Sequence, residues 1–192
     1  MSLALTLATP RLWLRPWREA DRAPFAALHA DPEVMRHFPA PLSREASDRS
    51  VEAFQAEHDA QGWGRWAVEV KDSGAFIGFT GLCVPQRALP FMPCVELGYR
   101  LARAHWGRGY ATEGASAALD FGFATLALPR DEIVAFTAAL NTPSQAVMRR
   151  LGMTTDPSDD FEHPALPAGS PLRHHVLYRL NRTRWAARRG AA

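Results

Sequence analysis

Three groups of residues in this chain have the types and spacing that chemistry needs. The first is Trp106-Gly107-Arg108-Gly109-Tyr110-Ala111, with Thr112 next. It follows an alternating apolar run (Val95, Leu97, Tyr99, Leu101) and precedes a small-residue helical pattern. Strand, glycine-rich turn and helix start, in that order, build a cradle for phosphates: backbone N–H groups face the anion and the helix dipole adds positive potential. The second group is Asn141 and Ser144, which open another helical pattern. Taken alone they read as a capping Asn and a first-turn serine. The third is a set of candidate acids and bases: Glu96, then Asp160, Glu162 and His163 in a late polar loop, with His174 and His175 beyond it. The two adjacent histidines lack metal-ligand spacing, and no metal is expected.

Two familiar phosphate loops fail on this turn. A dinucleotide fingerprint starting at Gly107 needs glycine where Thr112 stands. A nucleotide-hydrolase loop starting at Gly109 reaches Gly114 correctly but meets Ala115 where lysine is required. The β/γ-phosphates of a nucleotide would have no cationic partner.

The elements that must position these groups follow from periodicity and breakers. Leu12-Trp13-Leu14 reads as a first strand, Glu19–Ala30 as a helix, and Asp31-Pro32 as the start of a short one. Ser43 is the expected N-cap of a third helix to about Ala60, stopped by Gln61-Gly62. Three strand-like runs follow, Trp66–Val70, Phe76–Val84 and Val95–Leu101, the first two joined hairpin fashion by Lys71-Asp72-Ser73-Gly74. Three prolines in 85–93 bar continuous strand. Ala111, Ala115, Ala118 and Gly122 give the next helix a small face that can sit close to a sheet. Ile133–Thr137 is a short strand. Thr142–Leu151 is a helix stopped by Gly152, and Gly152-Met153 leads into a strand. Thr155–Gly169 is a polar, Pro-rich loop, and His175–Leu180 closes the pattern as a strand. The order β-α-α-α-β-β-β-α-β-α-β predicts one α/β (α+β) domain over residues 1–192.

Bulk properties exclude several classes. The 192 residues are long enough for a real core, 47% are hydrophobic, and the net charge of +2 gives no argument for nucleic acid. Arg179, Arg182, Arg184, Arg188 and Arg189 make the end basic, and a solvated tail over about 181–192 is expected. Arg11, Arg15 and Arg18 interrupt the apolar pattern of the first 20 residues, so neither signal peptide nor anchor is expected and the cytoplasm fits best. Cys83 and Cys94 are then expected as thiols.

The turn resembles the R/Q-x-x-G-x-G/A loop of the GNAT N-acetyltransferases, with Trp106 departing from the usual Arg or Gln. ELGY…WGRGYATE is similar to the ribosomal-protein-N-acetyltransferase (RimJ/RimL-like) branch. Asn141 and Ser144 match its N-x-x-S element, and the following helix ends in Leu151-Gly152-Met153. Thr9–Arg15 and His175–Leu180 also resemble relatives of that branch. The resemblance implies a mixed, mostly antiparallel sheet flanked by helices, with strands splayed to hold CoA. It implies acetyl-CoA as co-substrate, a cradle from Trp106, Gly107, Arg108, Gly109, Tyr110, Ala111 and Thr112, and Asn141 on the pantetheine arm. It also implies an oxyanion-stabilising N–H near Leu101.

Such a reaction needs a neutral amine, an oxyanion donor and a proton for the thiolate. Bringing an α-amino group to neutrality at pH 7 costs about 1.4 kcal/mol, against roughly 4.6 for a lysine side chain. Glu96 is the leading base, with Asp160, Glu162 and His163 behind it; a structural ion pair with Arg100 is the alternative for Glu96. The tyrosine that many family members use as acid falls at about Met148, so Ser144 is the candidate acid. His37, Phe38 and Trp63 are candidates for an acceptor pocket. The expected partner is an amine, from a protein N-terminus or a small molecule, served by a monomer or homodimer with no membrane or nucleic-acid role. A non-catalytic CoA-binding module is the rival reading.

Overall fold

In the computed structural model, which describes residues 5–190, the chain runs β1 (Leu7–Ala8), β2 (Leu12–Arg15), α1 (Arg22–Ala30), α2 (Pro32–Met35), α3 (Arg44–Gln61), β3 (Arg65–Val70), β4 (Phe76–Cys83), β5 (Glu96–Leu101), α4 (Tyr110–Thr125), β6 (Glu132–Ala138), α5 (Thr142–Arg150), β7 (Thr154–Thr155), β8 (Phe161–Glu162), β9 (His174–Asn181) and α6 (Arg182–Gly190). The sheet order is β1-β2-β3-β4-β5-β6-β9-β7, with β8 also on β9. Helix ends fall where the sequence places caps. Ser43 Oγ accepts from the Ala46 N–H at 3.2 Å, and Gly62 closes α3 with φ of 77°. The short strands β7 and β8 lie in stretches where loop or strand entry is expected; each pairs antiparallel with β9, which supplies the long template. Among the described residues no helix is long and apolar enough to cross a membrane.

Alternation sorts the side chains onto two faces. One face holds the main core. Leu12, Leu14, Trp66, Val68, Ile77, Leu97, Leu101, Ile133 and Leu180 pack there against Ala115, Ala118 and Leu119 of α4, Met148 and Leu151 of α5, and Trp185 of α6. Each fully buried side chain of this size contributes roughly 1.5–3 kcal/mol. The small face of α4 lets it lie close: a Cβ on Gly122 would stand 2.6 Å from Leu82 Cδ1 and 2.8 Å from Ile133 Cδ1.

The opposite face carries two separate apolar clusters. Trp17, Phe25, Leu28, Val51, Phe54 and Phe79 cover β3 and β4 under α1 and α3. Leu89, Phe91, Cys94, Val134, Phe161 and Leu177 cover β6 and β9. The strip of β5 between them carries Glu96, Gly98 and Arg100. Both neighbours put it there: Glu96 is in register with Val134 of β6, and Arg100 with Phe79 of β4.

Every strand pair is antiparallel except β5–β6, which is parallel and meets at one position, Glu96↔Val134. The Val134 N–H donates to the Val95 carbonyl at 2.9 Å. Beyond that point the two strands part, and from Leu97 to Leu101 β5 keeps only β4, on its other side. This is the splay that the family resemblance implies.

Within the described residues the basic end is a mostly exposed helix anchored by one buried side chain. Residues 182–190 form α6, and residues 191–192 lie outside the described region. Trp185 is 5% exposed, and its Nε1–H donates to Asp120 Oδ1 at 2.9 Å. Arg182 pairs with Asp131 at 2.7 Å and Arg189 with Asp120 at 2.9 Å, while Arg184 and Arg188 donate to the carbonyls of Gly152 and Arg150. The acids that balance these arginines are distant in sequence, which is why the end reads as uncompensated charge. Trp185→Ala should lower stability by about 3 kcal/mol or more, as loss of a large core side chain does. Urea denaturation checks this; a change within about 0.5 kcal/mol, typical of an exposed site, would restore the tail reading.

Candidate active site

Strand β5 organises the site because its two faces serve different ends. Glu96 is half-buried in the strip between the apolar clusters, and the Cys83 thiol donates to its Oε2 at 3.7 Å. Burial pushes the Glu96 carboxyl up to about 7, against the pull of Arg65, the Cys83 hydrogen bond and Arg87. A carboxyl titrating there can take a proton at neutral pH. Burial raises the Cys83 thiol far above its ordinary range, so it stays a neutral donor.

Arg100 does not pair with Glu96, and among the described residues no carboxylate lies within 4.0 Å of its guanidinium. Its Nη1 sits 2.7 Å from His29 Nε2, Phe38 lies over its Cζ at 3.8 Å, and its Nε is buried without a partner. Burial, with Arg65 adding like charge, pushes Arg100 down to about 10. His29 is buried, with Nδ1 2.9 Å from Ser47 Oγ; burial and the Arg100 charge push it down to about 3. It is therefore neutral at pH 7. Because a guanidinium can only donate, His29 Nε2 is the acceptor and Nδ1 carries the proton toward Ser47.

At the far end of β5 the chain enters the glycine turn. Gly107 and Gly109 have φ of 73° and 80°, a region closed to most side-chain-bearing residues. A Cβ at Gly107 would meet nothing within 4 Å, so glycine is there for backbone conformation. Gly109 is the N-cap of α4 and gives no side-chain cap. The N–H groups from Gly107 to Thr112 have no acceptor among the described residues. That row of free donors at a helix start suits an anion. Trp106 donates its indole N–H to the Leu101 carbonyl at 2.7 Å and is 42% exposed, so its one polar atom ties the turn to β5.

Arg11, at the start of β2, locks the turn from outside. Its Nε donates to Glu113 Oε2 at 2.6 Å and its Nη1 to the Arg108 carbonyl at 3.0 Å, and its Cζ lies 4.7 Å from the Tyr110 ring centroid. Thr9 Oγ1 also donates to Glu113, at 2.6 Å. Burial would raise the Glu113 carboxyl, but the hydrogen bonds from Thr9 and Arg11 hold it below its ordinary value.

On the other side of the splay, Asn141 is the N-cap of α5. Its Oδ1 accepts from the Ser144 N–H at 3.3 Å and its Nδ2 donates to Thr137 Oγ1 at 2.9 Å. One Nδ2 proton remains for another partner. Met148 is 2% exposed inside the core, so the usual acid position holds an inert side chain. Beside the first turn of α5, Tyr99 Oη of β5 lies 3.0 Å from Ser144 Oγ and donates to the Ser144 carbonyl at 2.9 Å. Burial raises Tyr99 well above the ordinary phenol range despite the Ser144 hydrogen bond, and it remains protonated.

The late-loop candidates separate. Glu162 pairs with Arg173 at 2.9 Å, and Asp160 faces His174 at 3.5 Å. His163 stacks on His175 with centroids 4.7 Å apart, and its Nε2 lies 3.2 Å from Arg87 Nη1. Burial, then His175 and Arg87, push His163 down to about 4. Of the pocket candidates Phe38 reaches Arg100, whereas Trp63 packs on the main core and His37 accepts from its neighbour Arg36. Sequence reasoning missed Tyr99, His29, Arg65 and the separation of Arg100 from Glu96. The alternation Glu96, Gly98, Arg100 carried a signal for the last: a charge at each end of a bare position on one face.

The acetyltransferase (GNAT) domain family model matches residues 11–154. An FsC-acetyl coenzyme A-N(2)-transacetylase from Aspergillus fumigatus is 30% identical over 187 residues, 94% of this chain and 77% of that protein. A crystal structure of an acetyltransferase from Agrobacterium tumefaciens has a TM-score of 0.73 at 30% identity, covering 94% of this chain and 96% of that one. RimL, a ribosomal alpha-N-protein acetyltransferase in complex with coenzyme A, shares the fold at a TM-score of 0.72 and 16% identity, over 92% of this chain and 98% of that one. The chain belongs to the GNAT acetyltransferase family, enzymes that use acetyl-CoA as co-substrate.

Proposed function

We propose that this enzyme moves the acetyl group of acetyl-CoA to a primary amine by direct attack of the amine on the thioester. The observation that carries this reading is the parting of β5 from β6, which opens a slot between the N–H row of the turn and the Glu96 face. The backbone N–H groups from Gly107 to Thr112 hold the pyrophosphate, with Trp106, Arg108 and Tyr110 flanking it. The pantetheine arm lies in the slot and bonds the remaining Asn141 proton. Glu96 accepts the proton that the amine loses, directly or through a water. The amine nitrogen bonds to the carbonyl carbon, and an N–H of β5 near Leu101 receives the oxyanion. The C–S bond then breaks, the nitrogen sheds its second proton, and Ser144, backed by Tyr99, relays a proton to the thiolate so that the hydroxyl ends as it began. The acceptor amine, on a protein N-terminus or a small molecule, approaches from the strip between the two apolar clusters. The cytoplasm and a monomer or homodimer fit this reading.

Gly109→Glu puts a charged side chain into the left-handed turn and against the pyrophosphate. Calorimetry should show acetyl-CoA affinity reduced at least about a hundredfold, near 3 kcal/mol; unchanged affinity would refute the cradle.

Glu96→Gln tests the base. In the wild type kcat/KM should rise with pH through about 7, the value to which burial raises Glu96. The variant should lose that limb and roughly 10²–10⁴ in rate. A second readout needs no turnover. The carboxyl is raised from 4.5 in the open chain to about 7 when folded, so it destabilises the fold as pH rises through that window. Glu96→Gln should therefore melt higher than wild type at pH 8 and about the same at pH 4. Equal melting at both would contradict the raised value.

A further inference from the structure

The chemical character of the acceptor can be read from the groups around Arg100. A pocket of about 470 Å³ opens beside β5, lined by His29, Arg49, Phe54, Arg65, Phe79 and Arg100 among others. Three arginines in one pocket need three counter-charges. Arg65 has one, since its guanidinium pairs with Glu57. Arg49 is exposed and can be balanced by solvent ions. Arg100 has neither advantage: among the described residues no acid reaches it and its buried Nε has no partner, and the imidazole that holds Nη1 is neutral.

A desolvated guanidinium without a counter-charge costs several kcal/mol, which is why such groups are paired in most folds. Here the surroundings fix the guanidinium rather than neutralise it. His29 holds one nitrogen, Phe38 covers one plane at 3.8 Å, and Phe79 stands at 5.8 Å. Nε is sealed from the pocket, so the edge left for a ligand is Nη1–Nη2, of which His29 takes one N–H and Nη2 makes no hydrogen bond among the described residues. That edge matches a carboxylate, which accepts charge-assisted N–H bonds.

The position of that edge relative to the base is also telling. Glu96 and Arg100 stand four residues apart on one face, about 13 Å between Cα atoms in a strand. Gly98 lies between them, and a Cβ there would touch only Phe79, at 3.9 Å. The floor between base and guanidinium is thus bare.

The geometry points to an acceptor that is a small amino acid-like molecule, its amine presented toward Glu96 and its carboxylate held by Arg100. This rests on the acetyltransferase reading above and narrows it: a polyamine or an aminoglycoside-like cation would meet the unbalanced charge of Arg100 with repulsion.

The test uses matched acceptor pairs, free L-amino acids and their carboxamides, with thiol release followed at saturating acetyl-CoA. The amide's amine is the more acidic, so amine neutrality alone favours the amide. Wild type should nevertheless prefer the acid by about tenfold or more in kcat/KM, the size of one charge-assisted hydrogen bond. In Arg100→Met the acid-over-amide ratio should fall toward one, through KM for the acid. Arg100→Lys should recover part of the ratio, because a point charge replaces the fork. Thermal melting accompanies each variant, and the wild-type comparison stands even if both variants unfold. Equal or better turnover of the amides overturns the assignment. So does a ratio unchanged in a folded Arg100→Met, or a panel in which no acid is acetylated. Acetyl-CoA calorimetry on the wild type reports separately: no binding there defeats the acetyltransferase reading itself.

Discussion

A parallel strand pair held at one position is a costly thing to build into the middle of a sheet. Backbone N–H and C=O groups that leave a ladder must find other partners or water, and each one left dry costs on the order of 1–3 kcal/mol. Here β5 and β6 meet at Glu96 and Val134 and then part, in a sheet whose other pairs are antiparallel. The rest of the structure works around this. The long β4–β5 and β6–β9 pairings hold each half of the sheet independently. Helices α4 and α5 bridge the halves on the core face through Ala115, Leu119, Met148 and Leu151. The Tyr99–Ser144 contact crosses the gap directly, linking β5 to the first turn of α5. The slot survives because its two walls are stabilised without each other.

The same parting decides which chemistry sits where. On the opposite face the apolar cover divides into two clusters that do not meet, leaving a polar strip between. A carboxyl there is dry enough to titrate near neutrality and open enough to be reached. A guanidinium on the same strip is fixed by His29 and Phe38 and faces inward. The charge of the strip is thus set by Glu96 and Arg100 of β5 and Arg65 of β3, across β4, with no acid beside Arg100 among the described residues.

Much of this was legible in the sequence, and the failures have a common cause. The glycine turn, the caps at Ser43 and Asn141, and the alternation of β5 are local, and local signals transfer directly to structure. What required the fold was contact between distant segments. Tyr99 reads as an ordinary core residue until α5 brings Ser144 to it, and Arg100 reads as the natural mate of Glu96 until the strand holds them two pleats apart. The basic end reads as solvated charge because Asp120 and Asp131 lie far upstream. Trp185 was the sign that it packs: a large aromatic among arginines needs somewhere to go. Asn141 shows the reverse, since capping and the Thr137 contact account for its observed bonds and one Nδ2 proton is left over.

The Arg11 lock on the glycine turn has a consequence for the charge of the cradle. Glu113 stands in the first turn of α4, where a carboxylate normally strengthens a helix but where a diphosphate would be repelled by it. Arg11 and Thr9 draw that carboxylate into hydrogen bonds and the Arg11 guanidinium balances its charge, so the helix start stays positive toward the free N–H row. The electrostatic sign of the anion seat is therefore set from the first edge of the sheet, about a hundred residues earlier in the chain. Threading the β1–β2 corner beside α4 ties the first hairpin of the sheet to the proposed anion seat, although none of its atoms need touch an anion.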